Sequence, residues 1–315
     1  MEIKDFNNCT ENMLTYGGHA GAKLGIIIDG ENWFLKFPKS TRTLRKKVDM
    51  SYSTSPLSEY IGSHIYESID IPVHKTMLGI RDNKLVVACK DFRNDISKII
   101  FEDYNSIYNI YVSGLDEKLS SITSSSNHTV DLNEIMIIME NNPRFINTKG
   151  LKDRFWDMFI VDALIGNNDR NNGNWGVLIN NDTKKIEIAP VFDNGASFGN
   201  NTDDLKIEKI LSDKEKFENS AYLSRICAFS INDKIINPFK YIESLENDEC
   251  NKALLRIVPK IDLSKIYDII NDIPNEYEGI KVISDIRKKY YFECIKYRYE
   301  TSLYKTYLKL LEKNK

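Results

Sequence analysis

Short apolar runs separated by turn-forming residues mark the first 92 residues of the chain. Lys23–Ile28 and Asn32–Phe37 are two such runs, and they flank the dipeptide Asp29-Gly30. Because Asp-Gly favours the positive φ angles of a two-residue turn, this pattern predicts a β-hairpin. We therefore expect the chain to begin with β-structure.

A helix is predicted after this hairpin. Pro56 occupies a position typical of the first helical turn, with Ser55 before it as the expected N-cap. Leu57, Ile61 and Ile65 then recur at helical spacing. The apolar face that they form predicts a helix packed against the sheet.

The pattern changes from strands to helices beyond the hinge expected near 90–94. Two more strands are predicted before it, over Val73–Ile80 and Lys84–Lys90. After it, helical periodicity covers about 131–140 and is strong over Leu151–Ile165. A short hairpin and a mostly helical remainder follow.

Composition and charge exclude several classes of protein. The 43 Lys and Arg residues nearly balance 46 Asp and Glu residues, so no direct binding of nucleic acid is expected. We expect no secretory signal, because the N-terminus has no basic start followed by an apolar run, and no membrane span, because no apolar stretch is long enough. The five cysteines lack metal-site or disulfide spacing, which indicates a reducing cytoplasm.

Asp169, Asn174 and Asp193 form the most informative polar pattern. The first two lie in the loop that follows the predicted helix Leu151–Ile165, and Asp193 follows the apolar run that ends at Phe192. Transfer of a phosphoryl group from ATP needs a carboxylate toward the acceptor hydroxyl and oxygen ligands for Mg²⁺. Asn174 and Asp193 offer such ligands, which leaves Asp169 as catalytic base.

A plain turn is the alternative explanation of this loop. Asn and Gly commonly end helices and form tight turns. That explanation accounts for the Asn and Gly residues around Asp169, but it leaves the downstream carboxylate of Asp193 unexplained. The combination favours a phosphotransferase.

A glycine-rich segment precedes the first strand. Gly17, Gly18 and Gly21 lack a Cβ atom, so their backbone N–H groups can approach phosphate oxygens. Lys23 follows them directly and is a candidate nucleotide-binding residue. The segment is not a P-loop, because Gly-Lys-Ser/Thr is absent. A simple turn is again the alternative.

Lys36 and Glu59 have two interpretations each. Lys36 lies in an apolar strand, where its side chain points either to solvent or into a cleft toward the α- and β-phosphates. Glu59 lies near a helix start, where a carboxylate is favourable by itself. It could equally be the ion-pair partner that orients Lys36.

These motifs together resemble the HipA-like serine/threonine kinases, most closely the short members of the CtkA type. The matching segments are Gly17-Gly-His-Ala-Gly-Ala-Lys23, Trp33-Phe-Leu-Lys36-Phe-Pro38, Ser58-Glu59-Tyr60, Ala88-Cys-Lys-Asp-Phe92, Leu164–Asn174 and Pro190-Val-Phe-Asp193. The resemblance implies an α+β, protein-kinase-like fold of two lobes. We expect a β-rich nucleotide-binding lobe over 1–92 and a helical lobe with the catalytic and metal-binding loops over 93–315.

The resemblance also implies ATP and Mg²⁺ as cofactors and a protein substrate with a Ser or Thr acceptor, with autophosphorylation. The site residues that it implies are Asp169 as base, Asn174 and Asp193 on Mg²⁺, Lys36 on phosphate, and Lys90 and Phe92 at the hinge against adenine.

Partner and location follow from the same resemblance. HipA proteins often are toxins held by a helix-turn-helix antitoxin, whereas CtkA-type members are described as secreted or translocated effectors. This chain starts almost at the glycine-rich segment, without the extra N-terminal domain of typical HipA proteins, which disfavours the antitoxin. Residues 16–25 contain no Ser or Thr, which disfavours regulatory phosphorylation there. We expect a cytoplasmic protein, with export as an effector as the alternative.

Two other functions compete with a protein kinase. The Asp169–Asn174 loop also resembles that of phosphatidylinositol kinases, so a lipid or small-molecule hydroxyl is an alternative acceptor. Beyond the basic run at 39–47, no membrane-docking patch supports that alternative. A non-catalytic kinase-fold module is disfavoured, because Lys36, Asp169, Asn174 and Asp193 are all present.

Overall fold

The computed structural model describes residues 1–17, 22–44, 47–93, 95–107 and 130–313. Gly18 and Gly21, which were predicted to approach phosphate, lie outside these ranges. Within the described ranges, no helix combines the length and apolar character needed to cross a membrane.

A five-stranded sheet occupies the N-terminal region in the order β1-β4-β5-β3-β2. Its strands are β1 (Lys4–Asp5), β2 (Lys23–Ile28), β3 (Glu31–Lys36), β4 (Thr76–Arg81) and β5 (Lys84–Lys90). Asp29 and Gly30 have φ angles of 50° and 77° between β2 and β3, as a tight hairpin turn requires. The predicted hairpin is confirmed.

The side chains of β3 alternate between the two faces of this sheet. Trp33 and Leu35 pack with Phe6 and Ile26 in a small core on one face. Phe34 packs against the main core on the other face. Because successive side chains of a strand point to opposite faces, Lys36 shares the inner face with Phe34.

Helix α1 (Ser55–Ser68) lies between the sheet and the helical part of the chain. Its N-cap is Thr54, which makes no side-chain capping bond, so the predicted N-cap at Ser55 is wrong by one residue. Ile61 and Ile65 are fully buried in the main core. A Cβ atom on Gly62 would lie 2.8 Å from Asn194 Cβ, so glycine permits close packing there.

The remainder of the chain is mostly helical, as predicted. The helices are α2 (Leu132–Asn141), α3 (Pro143–Ile146), α4 (Leu151–Ile165), α5 (Asp204–Leu211), α6 (Lys214–Glu218), α7 (Pro238–Ser244), α8 (Asp248–Ile257), α9 (Leu263–Asn271), α10 (Asp285–Arg298) and α11 (Tyr304–Lys313). Helix α4 is buried along most of its length. It therefore anchors the loop that follows it in the centre of the molecule.

Three smaller sheets complete the described structure. They comprise β6 (Ile99–Asp103), β8 (Gly176–Asn180) and β9 (Ile186–Ile188), then β7 (Val130–Asp131), β10 (Phe229–Ile231) and β11 (Lys234–Ile235), and the pair β12 (Glu276–Tyr277) and β13 (Ile280–Lys281). Strand β6 pairs antiparallel with β8. The sequence did not predict β6, because its short apolar run has no strand partner nearby in the chain.

Candidate active site

Lys36, Glu59 and Asp193 meet between the sheet, helix α1 and the segment after β9. Lys36 Nζ lies 2.9 Å from Glu59 Oε2 and 2.9 Å from Asp193 Oδ1. The Glu59 side chain is 1% exposed and that of Asp193 18%. The structure thus places Lys36 in the interior, bound to both carboxylates.

Charge pairing sets the ionisation of this cluster. Burial by itself lowers the pKa of Lys36, but the carboxylates of Asp193 and Glu59 outweigh burial and raise that pKa above its usual value. Burial likewise raises the pKa of Glu59, and Lys36 then brings it below its usual value. Both groups are therefore charged at neutral pH, as an ion pair that orients the ammonium requires.

His74 supports Glu59 from the side opposite Lys36. Its Nε2 atom lies 2.9 Å from Glu59 Oε1, and its backbone N–H donates to Val191 O over 2.9 Å. Burial lowers the pKa of His74 despite the adjacent Glu59, so the ring is neutral at neutral pH. A neutral ring can donate from Nε2–H and fix the carboxylate. No local sequence pattern distinguishes this histidine from the others.

We expect substitution of His74 by Phe to lower kcat/KM for ATP about tenfold. An unpaired buried acceptor costs about 1–3 kcal/mol, and about 1.4 kcal/mol corresponds to a factor of ten. His74→Gln keeps an N–H donor at the same reach and should lose less. Steady-state kinetics with varied ATP, together with melting temperatures, would compare the two variants. Equal losses in both would contradict a hydrogen-bonding role.

The loop after helix α4 holds Asp169 in an exposed position. Asn167 Oδ1 accepts from the Asp169 N–H over 3.1 Å, and Asn174 Nδ2 donates to Asp169 O over 2.6 Å. Asn171 Nδ2 donates to the Asp169 carboxylate over 2.9 Å. The loop's own amides thus fix the backbone of Asp169 while its carboxylate faces outward.

Arg170 is buried beneath this loop and connects it to the Asp193 segment. Its Nε donates to Asp162 Oδ2 over 2.8 Å, and its Nη2 donates to Asn194 Oδ1 over 2.7 Å. Its Nη1 donates both to Asn174 O and to Phe192 O. One guanidinium therefore holds the two segments that carry the predicted metal ligands.

Asp193 adopts a left-handed backbone conformation, with φ of 60°. Such a conformation costs a non-glycine residue roughly 1–3 kcal/mol, although Asp tolerates it better than most. The next residue, Asn194, is fully buried and donates to Ser63 Oγ over 3.1 Å. Packing of Asn194 therefore fixes the direction in which Asp193 points.

The oxygens of Asn174 and Asp193 fit a hard divalent cation. Asn174 uses its amide nitrogen within the loop, and Asp193 uses Oδ1 for Lys36. No contact among the described residues occupies Asn174 Oδ1 or Asp193 Oδ2. Mg²⁺ prefers such oxygen ligands and commonly takes only one or two from a protein.

Lys23 lies beside Lys36 on the inner face of the hairpin. The two lysines are direct cross-strand neighbours. Lys23 Nζ donates to Gly17 O, and burial followed by the charge of Lys36 lowers the pKa of Lys23. The structure therefore brings Gly17 and Lys23 next to Lys36.

Lys90 and Phe92, the two residues predicted at the hinge, have different surroundings in the structure. Lys90 pairs with Trp33, which places its side chain on the outer face, and its Nζ lies 2.5 Å from Glu31 Oε1. The Phe92 ring lies 5.5 Å from that of Phe192, which directly precedes Asp193. Phe92 thus lies near the Asp193 segment, whereas the side chain of Lys90 lies on the opposite face of the sheet from Lys36.

Comparisons with known proteins identify relatives of this chain. The chain is 36% identical over 276 residues to the serine/threonine-protein kinase CtkA of Helicobacter pylori strain J99, covering 87% of this chain and 80% of CtkA. The crystal structure of a Helicobacter pylori proinflammatory kinase CtkA matches with a TM-score of 0.85 and 32% identity, over 99% of this chain and 98% of that one. No protein-family model matches the chain.

A more distant structure shares the fold alone. HipA, in the complex of HipA, HipB and operator DNA from Shewanella oneidensis MR-1, matches with a TM-score of 0.54 and 14% identity, over 96% of this chain and 68% of that one. The predicted protein-kinase-like fold is confirmed, and the lipid-kinase and non-catalytic alternatives are not favoured. The chain belongs to the CtkA-type serine/threonine-protein kinases, which transfer a phosphoryl group to a hydroxyl.

Proposed function

We propose that this kinase uses ATP and Mg²⁺, with Asp169 as catalytic base and Asn174 and Asp193 as metal ligands. The observation that carries this proposal is the convergence of Lys36 with Glu59 and Asp193 through contacts of 2.9 Å. These residues come from a strand, a helix and a loop that are far apart in the chain. That geometry supports a phosphate-binding ammonium next to a metal-binding carboxylate.

Each group has a defined task in this proposal. Lys36 carries a fixed positive charge toward the nucleotide phosphates, and Glu59 holds it in place. When bound, Mg²⁺ neutralises charge that develops on the phosphate oxygens. Asp169 is exposed, so a protein Ser or Thr hydroxyl can approach its carboxylate and give up a proton. Autophosphorylation follows from the same chemistry.

The nucleotide site extends from Gly17 and Lys23 to Phe92. Gly18 and Gly21 stay predictions for phosphate contact, since they lie outside the described residues. We infer a nucleotide-binding lobe over 1–92 and a catalytic lobe over 93–315. The inner-face position of Lys36 and the loop position of Asp169 support that division.

The substrate is proposed to be a protein with a Ser or Thr acceptor. A helix-turn-helix antitoxin is a secondary prediction, supported only by the fold shared with HipA. A cytoplasmic location is supported by the five free cysteines, and export as an effector stays the alternative prediction.

Asp193→Asn tests the proposed use of ATP and Mg²⁺. The amide lacks the charge that attracts the metal and pairs with Lys36. We therefore expect the variant to lose the stabilisation by ATP and Mg²⁺ that binding to the folded state produces in the wild type. Melting temperatures with ATP, with and without Mg²⁺, would measure this. Asp272→Asn, at an exposed carboxylate, is the control. An unchanged shift in Asp193→Asn would contradict the proposal.

A further inference from the structure

Two arginines lie against the end of helix α4, next to the catalytic loop. Arg298 donates from Nε to Ala221 O over 2.8 Å and from Nη1 to Leu164 O over 2.9 Å. Arg225 donates from Nη2 to Gly166 O. Atoms of both guanidinium groups lie within 3.0 Å of the point that a Cβ of Gly166 would occupy. Two positive charges are thus held close together.

Neither of these arginines pairs with a carboxylate within the described part of the chain. Two buried arginines elsewhere do: Arg170 pairs with Asp162 and Arg287 with Asp204. The carbonyl end of a helix attracts cations, and this accounts for Arg298, which is 2% exposed and enclosed.

Attraction to the carbonyl end of the helix, which accounts for Arg298, does not account for Arg225. It is partly exposed, and the contacts among the described residues use only its Nη2. Burial, and then the charge of Arg298, lower the pKa of Arg225 to about 10, which still leaves it positive. A carboxylate that approached its free donors would relieve this repulsion and form a charge-assisted hydrogen bond.

The surroundings of Arg225 suit a peptide. Leu223 and Ile226 flank it and are 50% and 48% exposed. Gly166, which Arg225 contacts, precedes Asp169 by three residues, a span of at most about 10 Å. A peptide whose acceptor lies at Asp169 can therefore reach Arg225 with a residue a few positions from that acceptor.

We propose that Arg225 is a specificity-determining residue that binds an acidic side chain of the protein substrate near the acceptor Ser or Thr. Leu223 and Ile226 contact an apolar residue beside that acid. The proposal rests on the proposed role of Asp169, because the position of the acceptor defines which flanking residue reaches Arg225. Positive charge that no carboxylate of the described residues pairs favours this occupant over a basic peptide.

Peptide substrates that carry Glu, Gln or Lys at each position flanking one acceptor Ser would test this. For wild type we expect kcat/KM for the best Glu peptide to exceed that of its Gln counterpart about tenfold, a typical effect of a charge-assisted hydrogen bond. In Arg225→Gln the Glu-to-Gln ratio should fall close to one. Gln removes the charge and keeps a polar side chain with N–H donors. Arg256→Gln, at a partly buried pair with Asp157, should keep the wild-type ratio.

Two results would overturn the proposal. One is a wild type with no preference for Glu over Gln and Lys at any flanking position, a measurement that needs no variant to fold. The other is a folded Arg225→Gln variant with the wild-type ratio. Failure of the proposed function would be distinguishable from both of these results. Phosphate transfer by Asp169→Ala at the wild-type rate would show that Asp169 is not the catalytic base, whatever the peptide preference.

Discussion

Asp169→Asn is expected to lower kcat for phosphoryl transfer by roughly 10²–10⁴-fold, the usual contribution of a general base. Asn has the shape of Asp but cannot take a proton at neutral pH. The side chain is exposed, and its partner Asn171 can still donate to the amide oxygen, so the loop should keep its structure. Transfer of radiolabelled phosphate from ATP to the kinase itself and to a Ser peptide would measure the loss.

Binding of ATP separates this effect from misfolding. Asp169→Asn should show the wild-type melting temperature and the wild-type shift with ATP and Mg²⁺. Asp182, whose side chain is 62% exposed on the turn after β8, provides the matched control. Asp182→Asn should transfer radiolabelled phosphate at the wild-type rate. If Asp169→Asn labelled as fast as wild type, Asp169 would not be the base.

Arg170→Met is expected to lower the free energy of unfolding by about 3–5 kcal/mol, the usual cost of removing one partner of a buried ion pair. Arg170 is 1% exposed, and its loss leaves the buried carboxylate of Asp162 without its charged partner. The carbonyls of Asn174 and Phe192 would lose a shared donor at the same time. Urea denaturation would measure the stability.

The double variant Arg170→Met with Asp162→Leu distinguishes stability from positioning. Removing both charges should restore part of the stability, since no unpaired charge is then buried. Label transfer should stay low, because no guanidinium then joins the loop to the Asp193 segment. Lys185→Met, at an exposed pair with Glu187, should cost no more than about 1 kcal/mol. Full activity in the double variant would show that Arg170 serves stability alone.

Local features of the chain were predictable from their residues. The Asp29-Gly30 turn, the apolar face of helix α1 and the buried helix α4 each depend on neighbours in sequence, so pattern alone was sufficient. The N-cap of α1 was placed one residue late, because Ser55 and Thr54 suit that position equally well. Strand β6 was missed, since its partner β8 lies far along the chain.

Contacts between distant residues were not predictable in this way. His74 and Arg225 belong to no sequence motif. The role of each depends on its hydrogen-bond partners in other elements. Lys90 belongs to a motif, but its pairing with Trp33 places the side chain on the outer face. A strand alternates its faces residue by residue, so the register with a neighbouring strand decides such cases.

The sequence by itself determined the reaction type, because Asp169, Asn174 and Asp193 are the chemical groups that phosphoryl transfer requires, in the order that a kinase uses them. It left two orientations open for Lys36 and two roles for Glu59. The tertiary structure decided both, by burying the two side chains against each other 2.9 Å apart. Burial of an ammonium is unfavourable without a carboxylate partner, and only the folded chain brings that partner within reach.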